Sequence, residues 1–163
     1  MPKRFKQFGP EYWDKYGVYR APIAFNLSLI VLLRAYIIWI FAAASMQPDS
    51  NIMAIFYQTK NEFFVSLAIA SGALIAGVVY SFRRPNAPRW LKPIWRFMKW
   101  PLVASACLDL AWLIWHAQQV YYQFSAPIAV QIVLLIWVLW YLLKSRYLDC
   151  FFSDWPQDEK QER

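Results

Sequence analysis

The chain has 163 residues, of which 60% are hydrophobic and 20% are aromatic, and its mean hydropathy is +0.27. Ordinary soluble domains are about 45–50% apolar, so this composition excludes a typical water-soluble globular domain and indicates that lipid is the solvent. The formal net charge of +7 does not indicate nucleic-acid binding, because the basic residues are grouped beside long apolar blocks.

The apolar residues fall into four blocks, which occupy residues 22–46, 62–82, 100–121 and 125–143. Each block is about 20 residues long, the length that a helix needs to cross ~30 Å of hydrocarbon. The sequence therefore predicts an all-α membrane protein with four transmembrane helices. These form a single integral-membrane domain over residues 1–163, which ends in a cytoplasmic tail at 144–163.

The basic residues mark one side of the predicted membrane domain. Apart from Arg34 and Lys60, every Lys and Arg lies before the first block, between the second and third blocks, or in the tail. Lys and Arg concentrate in cytoplasmic loops, so both termini and the loop at 83–99 are predicted to be cytoplasmic. No cleavable signal peptide is expected, because the apolar stretch before AAAS at 42–45 is longer than a signal core.

An arginine interrupts the first apolar block, SLIVLLRAYIIWIFAAAS. An ionisable side chain in hydrocarbon is costly, and it is by default a functional candidate. Arg34 lies ~18 Å and Asp109 ~14 Å from the cytoplasmic starts of the first and third spans at 1.5 Å per residue. We therefore predict that Arg34 and Asp109 form an intramembrane polar pair. A structural pair is favoured, and a working polar site or an arginine that snorkels without a partner are the alternatives.

Further polar residues are expected nearer the outer face. His116 follows Asp109 by seven residues, so it lies on the same side of the helix two turns further out. Glu62 begins the second span at that level, and Gln131 lies a little deeper in the fourth. Glu62, His116 and Gln131 form a candidate outer polar cluster that could relay a proton or hold a headgroup. The favoured interpretation is that they are rim residues in contact with water.

The loop RWLKPIWRFMKWP, at 89–101, predicts a short basic amphipathic helix before the third span. Pro93 is tolerated only in a first helical turn, so the helix should begin near Leu91 or Lys92. Its basic residues recur at steps of three, four and three, which aligns them on one face; they are Arg89, Lys92, Arg96 and Lys99. Such a helix suits contact with anionic headgroups on the cytoplasmic side, unless it is simply the anchored end of the third span.

Small residues in the second block indicate close helix packing. Ala68 and Gly72, Gly72 and Ala76, and Ala73 and Gly77 are each four residues apart. Small residues at this spacing let helix backbones approach closely in lipid. Packing within the chain is favoured over a homodimer seam.

The two cysteines are expected to remain unpaired. Cys107 lies inside the third block, and Cys150 lies just past the fourth, so they are at different levels in a reducing context. Cys150 is placed where reversible acylation occurs in some proteins. A thiol packed among aromatic side chains is the favoured alternative.

The sequence contains no recognisable catalytic or cofactor motif. One histidine cannot ligate a haem twice, metal binding by one His and two separated Cys is not expected, and CxxC, H-E-x-x-H, P-loop and dinucleotide-binding patterns are missing. We therefore expect a protein that is not an enzyme and that uses no cofactor.

Several stretches resemble the YfeZ-like family of small bacterial inner-membrane proteins with no assigned function. They are YGVYRAP before the first block, the arginine within it, AAAS at its end, IFYQTKNEFF in the outer loop, and the basic tryptophan-rich loop. The resemblance covers most of the chain and implies a multi-pass protein of a Gram-negative inner membrane with four spans. It implies no activity and no active-site residues.

These observations favour a non-enzymatic accessory or scaffold subunit of an envelope complex. Its expected partners are membrane lipids, with anionic headgroups on the cytoplasmic side, and a membrane-protein complex. The alternative is a small oligomeric transporter or permeation unit that uses the Arg34 and Asp109 pair. A third possibility, an enzyme acting on lipid-linked substrates, lacks an acid/base motif on any loop.

Overall fold

The computed structural model of the chain describes residues 9–14, 18–44, 57, 59–84, 87–88, 90–119 and 126–156. Within these residues the regular structure is helical, which confirms the all-α prediction. A 3-10 turn at Pro10–Tyr12 precedes seven α-helices. They are α1 (Ile23–Leu32), α2 (Arg34–Ala44), α3 (Lys60–Ser81), α4 (Leu91–Phe97), α5 (Lys99–Gln119), α6 (Ala126–Lys144) and α7 (Arg146–Ser153).

Two of the helices, α3 and α5, are each long and apolar enough to cross a membrane. Two further candidates are bent pairs. The axes of α1 and α2 meet at 63°, and those of α6 and α7 meet at 66°. By length and composition the described chain therefore has two candidate spans, or up to four if each bent pair is counted as one.

The first predicted span is not one straight helix, because it is divided at Leu33. Backbone hydrogen bonds continue on both sides of the division, since the Leu33 N–H donates to Leu29 O at 2.8 Å and the Ile37 N–H donates to Leu33 O at 3.0 Å. Neither Pro nor Gly lies at this point. The bend brings Arg34 to the first position of α2.

Helix α5 packs most extensively, lying between α3 and α6. Small buried residues allow this close approach, among them Ala73 on α3 and Ala106 on α5. At Gly72 even a methyl group would overlap the Oγ of Ser105. Around Gly72 and Ala73 the predicted second span therefore packs against another helix of the same chain, whereas Ala68 is exposed.

Side-chain caps define the starts of two helices. Thr59 Oγ1 accepts a hydrogen bond from the Glu62 N–H at 3.3 Å at the start of α3. Ser145 Oγ accepts from the Leu148 N–H at 3.4 Å at the start of α7. A cap of this kind satisfies one of the backbone donors that a helix start leaves unpaired.

The segment expected as a cytoplasmic tail begins with a packed helix. Helix α7 buries Leu148, Phe151 and Phe152 against the aromatic ring of Trp95 and its neighbours. Trp95 Nε1 donates to Phe151 O at 3.2 Å. Local sequence does not predict this helix. Its apolar face is stabilised by distant residues such as Trp95, which lies 56 positions before Phe151.

Candidate functional site

Arg34 and Asp109 form a two-point ion pair between α2 and α5. Arg34 Nη2 donates to Asp109 Oδ1 at 2.8 Å, and Nη1 donates to Oδ2. The side chains are 16% and 6% exposed. Planar guanidinium and carboxylate groups match each other in this arrangement, and charge-assisted bonds of this kind are the stronger hydrogen bonds in proteins.

The remaining donors of Arg34 bind two further elements. Nε donates to Gln131 Oε1 on α6 at 3.1 Å, and Nη1 also donates to the Val31 carbonyl at 3.2 Å. Val31 lies in the last turn of α1, where carbonyls lose their partners in the helix. The arginine thus satisfies a carbonyl at the bend while it joins α2 to α5 and α6.

A buried tyrosine that the sequence analysis did not single out lies close to this site. Tyr57 is 8% exposed, and the charges of Arg34 and Asp109 both act on its phenol. Burial raises the pKa of Tyr57, and the positive charge of Arg34 opposes that rise. Its hydroxyl lies near Ser66 but has no partner with hydrogen-bond geometry among the described residues.

The candidate outer cluster is divided between two places. His116 Nδ1 on α5 lies 3.6 Å from Glu62 Oε1 on α3, and both side chains are largely buried. Thr59 Oγ1 donates to the same carboxylate oxygen at 3.0 Å. Gln131 does not join them, because its side-chain carbonyl accepts from Arg34. The structure therefore gives a Glu62–His116 pair and a separate site of Arg34, Asp109 and Gln131.

The predicted basic helix is present as α4, but its basic residues do not all remain on one free face. Lys92 and Arg96 are exposed on α4, and Arg89 lies outside the described residues. Lys99 belongs to the next helix and donates to Asp149 Oδ1 on α7 at 2.5 Å. The turn at Met98 separates Lys99 from the other basic residues, and the carboxylate of Asp149 holds it.

Arg83 forms a second cationic site, which is partly buried and which the sequence indicated only as a marker of topology. Its Nη1 donates to Tyr19 O at 2.9 Å and its Nη2 donates to Asp154 O at 3.1 Å. The guanidinium carbon lies 4.4 Å from the centroid of the Phe151 ring. Burial lowers the pKa of Arg83, and the negative charge of Asp154 opposes that change. The partners are 64 and 71 residues away, so local sequence could not reveal them.

The part of the chain that the structure describes offers few groups for metal binding or thiol chemistry. No group of three or more His, Cys, Asp and Glu side chains comes together there. Cys107 is exposed on α5, and Cys150 is partly buried on α7, and both are free thiols.

Comparisons with known proteins cover nearly the whole chain. A family model described as "Protein of unknown function (DUF2919)" matches residues 8–154. "Inner membrane protein YfeZ" of Escherichia coli (strain K12) is 28% identical over 150 residues, which are 90% of this chain and 95% of that protein. No solved structure gives a significant match.

Proposed function

This chain belongs to the family described as protein of unknown function (DUF2919), and we propose that it is a non-enzymatic accessory or scaffold subunit of an inner-membrane complex. The similarity to YfeZ confirms the resemblance to the YfeZ-like family. The name of that relative and the long apolar helices of this chain support an integral protein of the inner membrane.

The proposed architecture has four spans, formed by α1 with α2, α3, α5 and α6, with both termini in the cytoplasm. The asymmetry of Lys and Arg supports this orientation. The contacts of Arg83 also support this orientation, because its guanidinium binds the carbonyls of both Tyr19 and Asp154. Segments before the first span, after the second and after the fourth therefore meet at one end of the bundle, as an even number of spans requires.

Reporter fusions test this architecture. Fusions after Lys60 and near Tyr122 are expected to report an external position, whereas a fusion after Arg84 is expected to report a cytoplasmic one. A cytoplasmic signal at either of the first two positions would contradict the four-span topology.

The observation that carries the accessory role is the engagement of Arg34 within the chain. Each of its three guanidinium nitrogens donates to an acceptor of this chain, in Asp109, Gln131 or Val31. These bonds use most of the N–H donors of the guanidinium, so the charge stabilises the arrangement of helices and leaves little capacity to bind a substrate. This favours a protein whose rigid membrane domain contacts other proteins.

Purification in a gentle detergent tests this proposal. The tagged chain at native expression level should co-purify with a membrane protein in a fixed ratio, as measured by quantitative mass spectrometry. A tagged four-span protein of similar size and abundance serves as the control for non-specific recovery. A clean homo-oligomer with no enriched partner would contradict the accessory role.

A transport role is the second candidate, and the divided first span favours it. Interrupted helices in transporters form binding sites near the middle of the bilayer. Here the division at Leu33 lies beside Arg34, and the Glu62–His116 pair lies further along α5, the helix that also carries Asp109. A clean homo-oligomer, together with solute flux into proteoliposomes that is lost in Arg34→Gln, would support this role over the first.

The exposed face of α4 gives one lipid contact within the proposed orientation. Lys92 and Arg96 are exposed and would lie at the cytoplasmic surface, where anionic headgroups attract basic side chains. Charge reversal at both positions should weaken association with anionic headgroups, as measured by spin-labelled lipid. Reversal at Lys99 should affect stability as well, since Lys99 is paired with Asp149.

A further inference from the structure

A polar pocket of about 890 Å³ lies between the N-terminal segment, the start of α1, the end of α3 and α7. It is lined by two carboxylates, two guanidinium groups and several tyrosines. The charged residues are Glu11, Asp14, Arg20 and Arg83. This volume suits a small-molecule site, which in proteins usually measures ~300–1,000 Å³. Because the pocket presents both positive and negative groups, it suits a ligand that carries both a negative and a positive charge.

The walls of the pocket are tied together by contacts between distant parts of the chain. The Tyr147 hydroxyl donates to Arg20 O at 2.7 Å, and its ring lies 5.8 Å from that of Tyr12. The Tyr19 N–H donates to Asp154 Oδ2 at 3.1 Å. These contacts fix the walls of the pocket relative to one another, and a preorganised site lowers the entropy cost of binding.

The position of the pocket indicates an amphipathic ligand. Pro22, Ile23 and Asn26 line it from the start of α1, and Ser81 lines it from the end of α3. The ends of two helices that cross the membrane lie at the depth of the headgroups. Ile23 is 79% exposed, and Leu27 and Ile30 follow on the same helix face with large exposed areas. An apolar column therefore leads from the pocket along α1.

We propose that this pocket binds the headgroup of one zwitterionic phospholipid, phosphatidylethanolamine, with an acyl chain along Ile23, Leu27 and Ile30. Arg20 binds the phosphate, since guanidinium groups match phosphate oxygens. The Nη atoms of Arg83 already donate to backbone carbonyls. Arg83 therefore attracts the phosphate by its positive charge and does not bind it directly. The primary ammonium lies by Glu11 and Asp14, where tyrosine rings add a cation–π attraction.

The chemistry distinguishes this lipid from its neighbours in a membrane. Phosphatidylglycerol offers a phosphate but no cation for the Glu11 carboxylate. Phosphatidylcholine offers a cation that has no N–H to donate to this carboxylate. The inference goes beyond the proposed accessory role and does not depend on it, because the pocket lies apart from the Arg34 site.

Native mass spectrometry of the full chain in detergent tests the proposal with the three lipids, each carrying the same acyl chains. The wild type should retain phosphatidylethanolamine roughly tenfold better than phosphatidylcholine, the difference expected for a charge-assisted hydrogen bond. Glu11→Gln should remove this preference, and Arg20→Gln should reduce retention of both lipids. Arg84→Gln, an exposed charge outside the pocket lining, is the control and should change neither.

Asn26→Trp provides a second route that does not alter charge. Asn26 is exposed on α1 and lines the pocket, so an indole there should fill the space and displace the lipid while the thermal midpoint stays close to that of the wild type. Equal retention of the three lipids would overturn the proposal. So would a preference for phosphatidylglycerol, or a phosphatidylethanolamine preference that survives in Glu11→Gln and Asn26→Trp.

Discussion

The guanidinium of Arg34 meets the carboxylate of Asp109 at two points, across 75 positions of sequence. Gln131 accepts from the third nitrogen of the guanidinium, so one side chain connects three helices. Each charge of the pair is tolerable in a low dielectric chiefly because the other is present. The free energy of unfolding is therefore expected to fall more when one of the two residues is removed than when both are removed.

Removing one partner of this pair should destabilise the protein strongly. Arg34→Leu or Asp109→Leu leaves a buried charge without its counterpart, which for buried pairs typically costs about 3–5 kcal/mol. The double variant should recover much of this loss, because neither charge is then desolvated. Thermal unfolding of both single variants and the double in one detergent gives the coupling energy.

Arg96→Leu, which removes an exposed arginine, is the control for the loss of a positive charge. Gln131→Leu should cost less, about 1.5–3 kcal/mol, since it removes one hydrogen bond from a charged group. Strictly additive losses in Arg34→Leu and Asp109→Leu would show that the pair does not stabilise the bundle.

The close approach of α3 and α5 at Gly72 should not tolerate a side chain. A Cβ there would overlap the Oγ of Ser105, and overpacking of this kind costs ~1–3 kcal/mol. Gly72→Ala should therefore lower the thermal midpoint, and Ser105→Ala in the same chain should restore it by removing the hydroxyl.

Gly77→Ala is a matched control on the same helix. Its Cβ would lie 3.9 Å from Leu33 Cδ1, an ordinary contact, and alanine favours helix by ~1 kcal/mol over glycine. This variant should be neutral or stabilising. Equal losses at the two glycines would mean that the α3–α5 contact does not require glycine at residue 72.

Arg83 should stabilise the end of the bundle where the chain segments meet. Arg83→Ala removes donors to Tyr19 O and Asp154 O, and hydrogen bonds from a charged group contribute about 1.5–3 kcal/mol each. Arg83→Lys should recover only part of the loss, since an ammonium cannot span two carbonyls as a guanidinium does. Thermal unfolding, with limited proteolysis of the C-terminal segment, measures the effect.

The neighbouring arginine supplies the comparison for that experiment. Arg84 is exposed, so Arg84→Ala removes the same charge at the same level of the membrane. It should leave both unfolding and proteolysis unchanged. If both arginines behave alike, their effect comes from topology or net charge, and the buried contacts of Arg83 contribute nothing measurable.

Cys150 should react slowly with alkylating reagents. Burial raises the pKa of Cys150 above its ordinary value of 9.0, and the negative charges of Asp149 and Asp154 raise it further. The thiolate is the reactive form, so below and near pH 9 less of it is present than in an unstructured peptide. In a Cys107→Ala background, the pH midpoint of alkylation should lie above that of the peptide.

The direction of the shift also predicts the effect of a variant and of pH on stability. Asp149→Asn removes a neighbouring negative charge and should therefore move the alkylation midpoint to lower pH. The folded state holds the thiol proton more tightly than the unfolded state, so this contribution to stability is complete below pH 9 and declines as pH rises further. A midpoint equal to that of the peptide would contradict both expectations.

The Arg34–Asp109 pair was largely predictable from sequence, and the contacts of Arg83 were not. Arg34 and Asp109 are ionisable residues inside apolar blocks, and their depth follows from the constant rise of a helix. Gln131 was assigned to the predicted outer cluster because depth alone does not specify which helix face it occupies. Tyr57 lies between the first two apolar blocks, where no periodic pattern indicates burial.

The sequence by itself determined that the chain is helical and belongs in a membrane, because block length, apolar composition and the placement of basic residues are local properties. Only the tertiary structure decided that the first apolar block bends at Leu33, that α7 packs as part of the core, and that the partly buried Arg83 lies over the Trp95 and Phe151 rings. Each of these depends on which surfaces of distant helices meet. Such contacts arise from packing complementarity, which no single segment encodes.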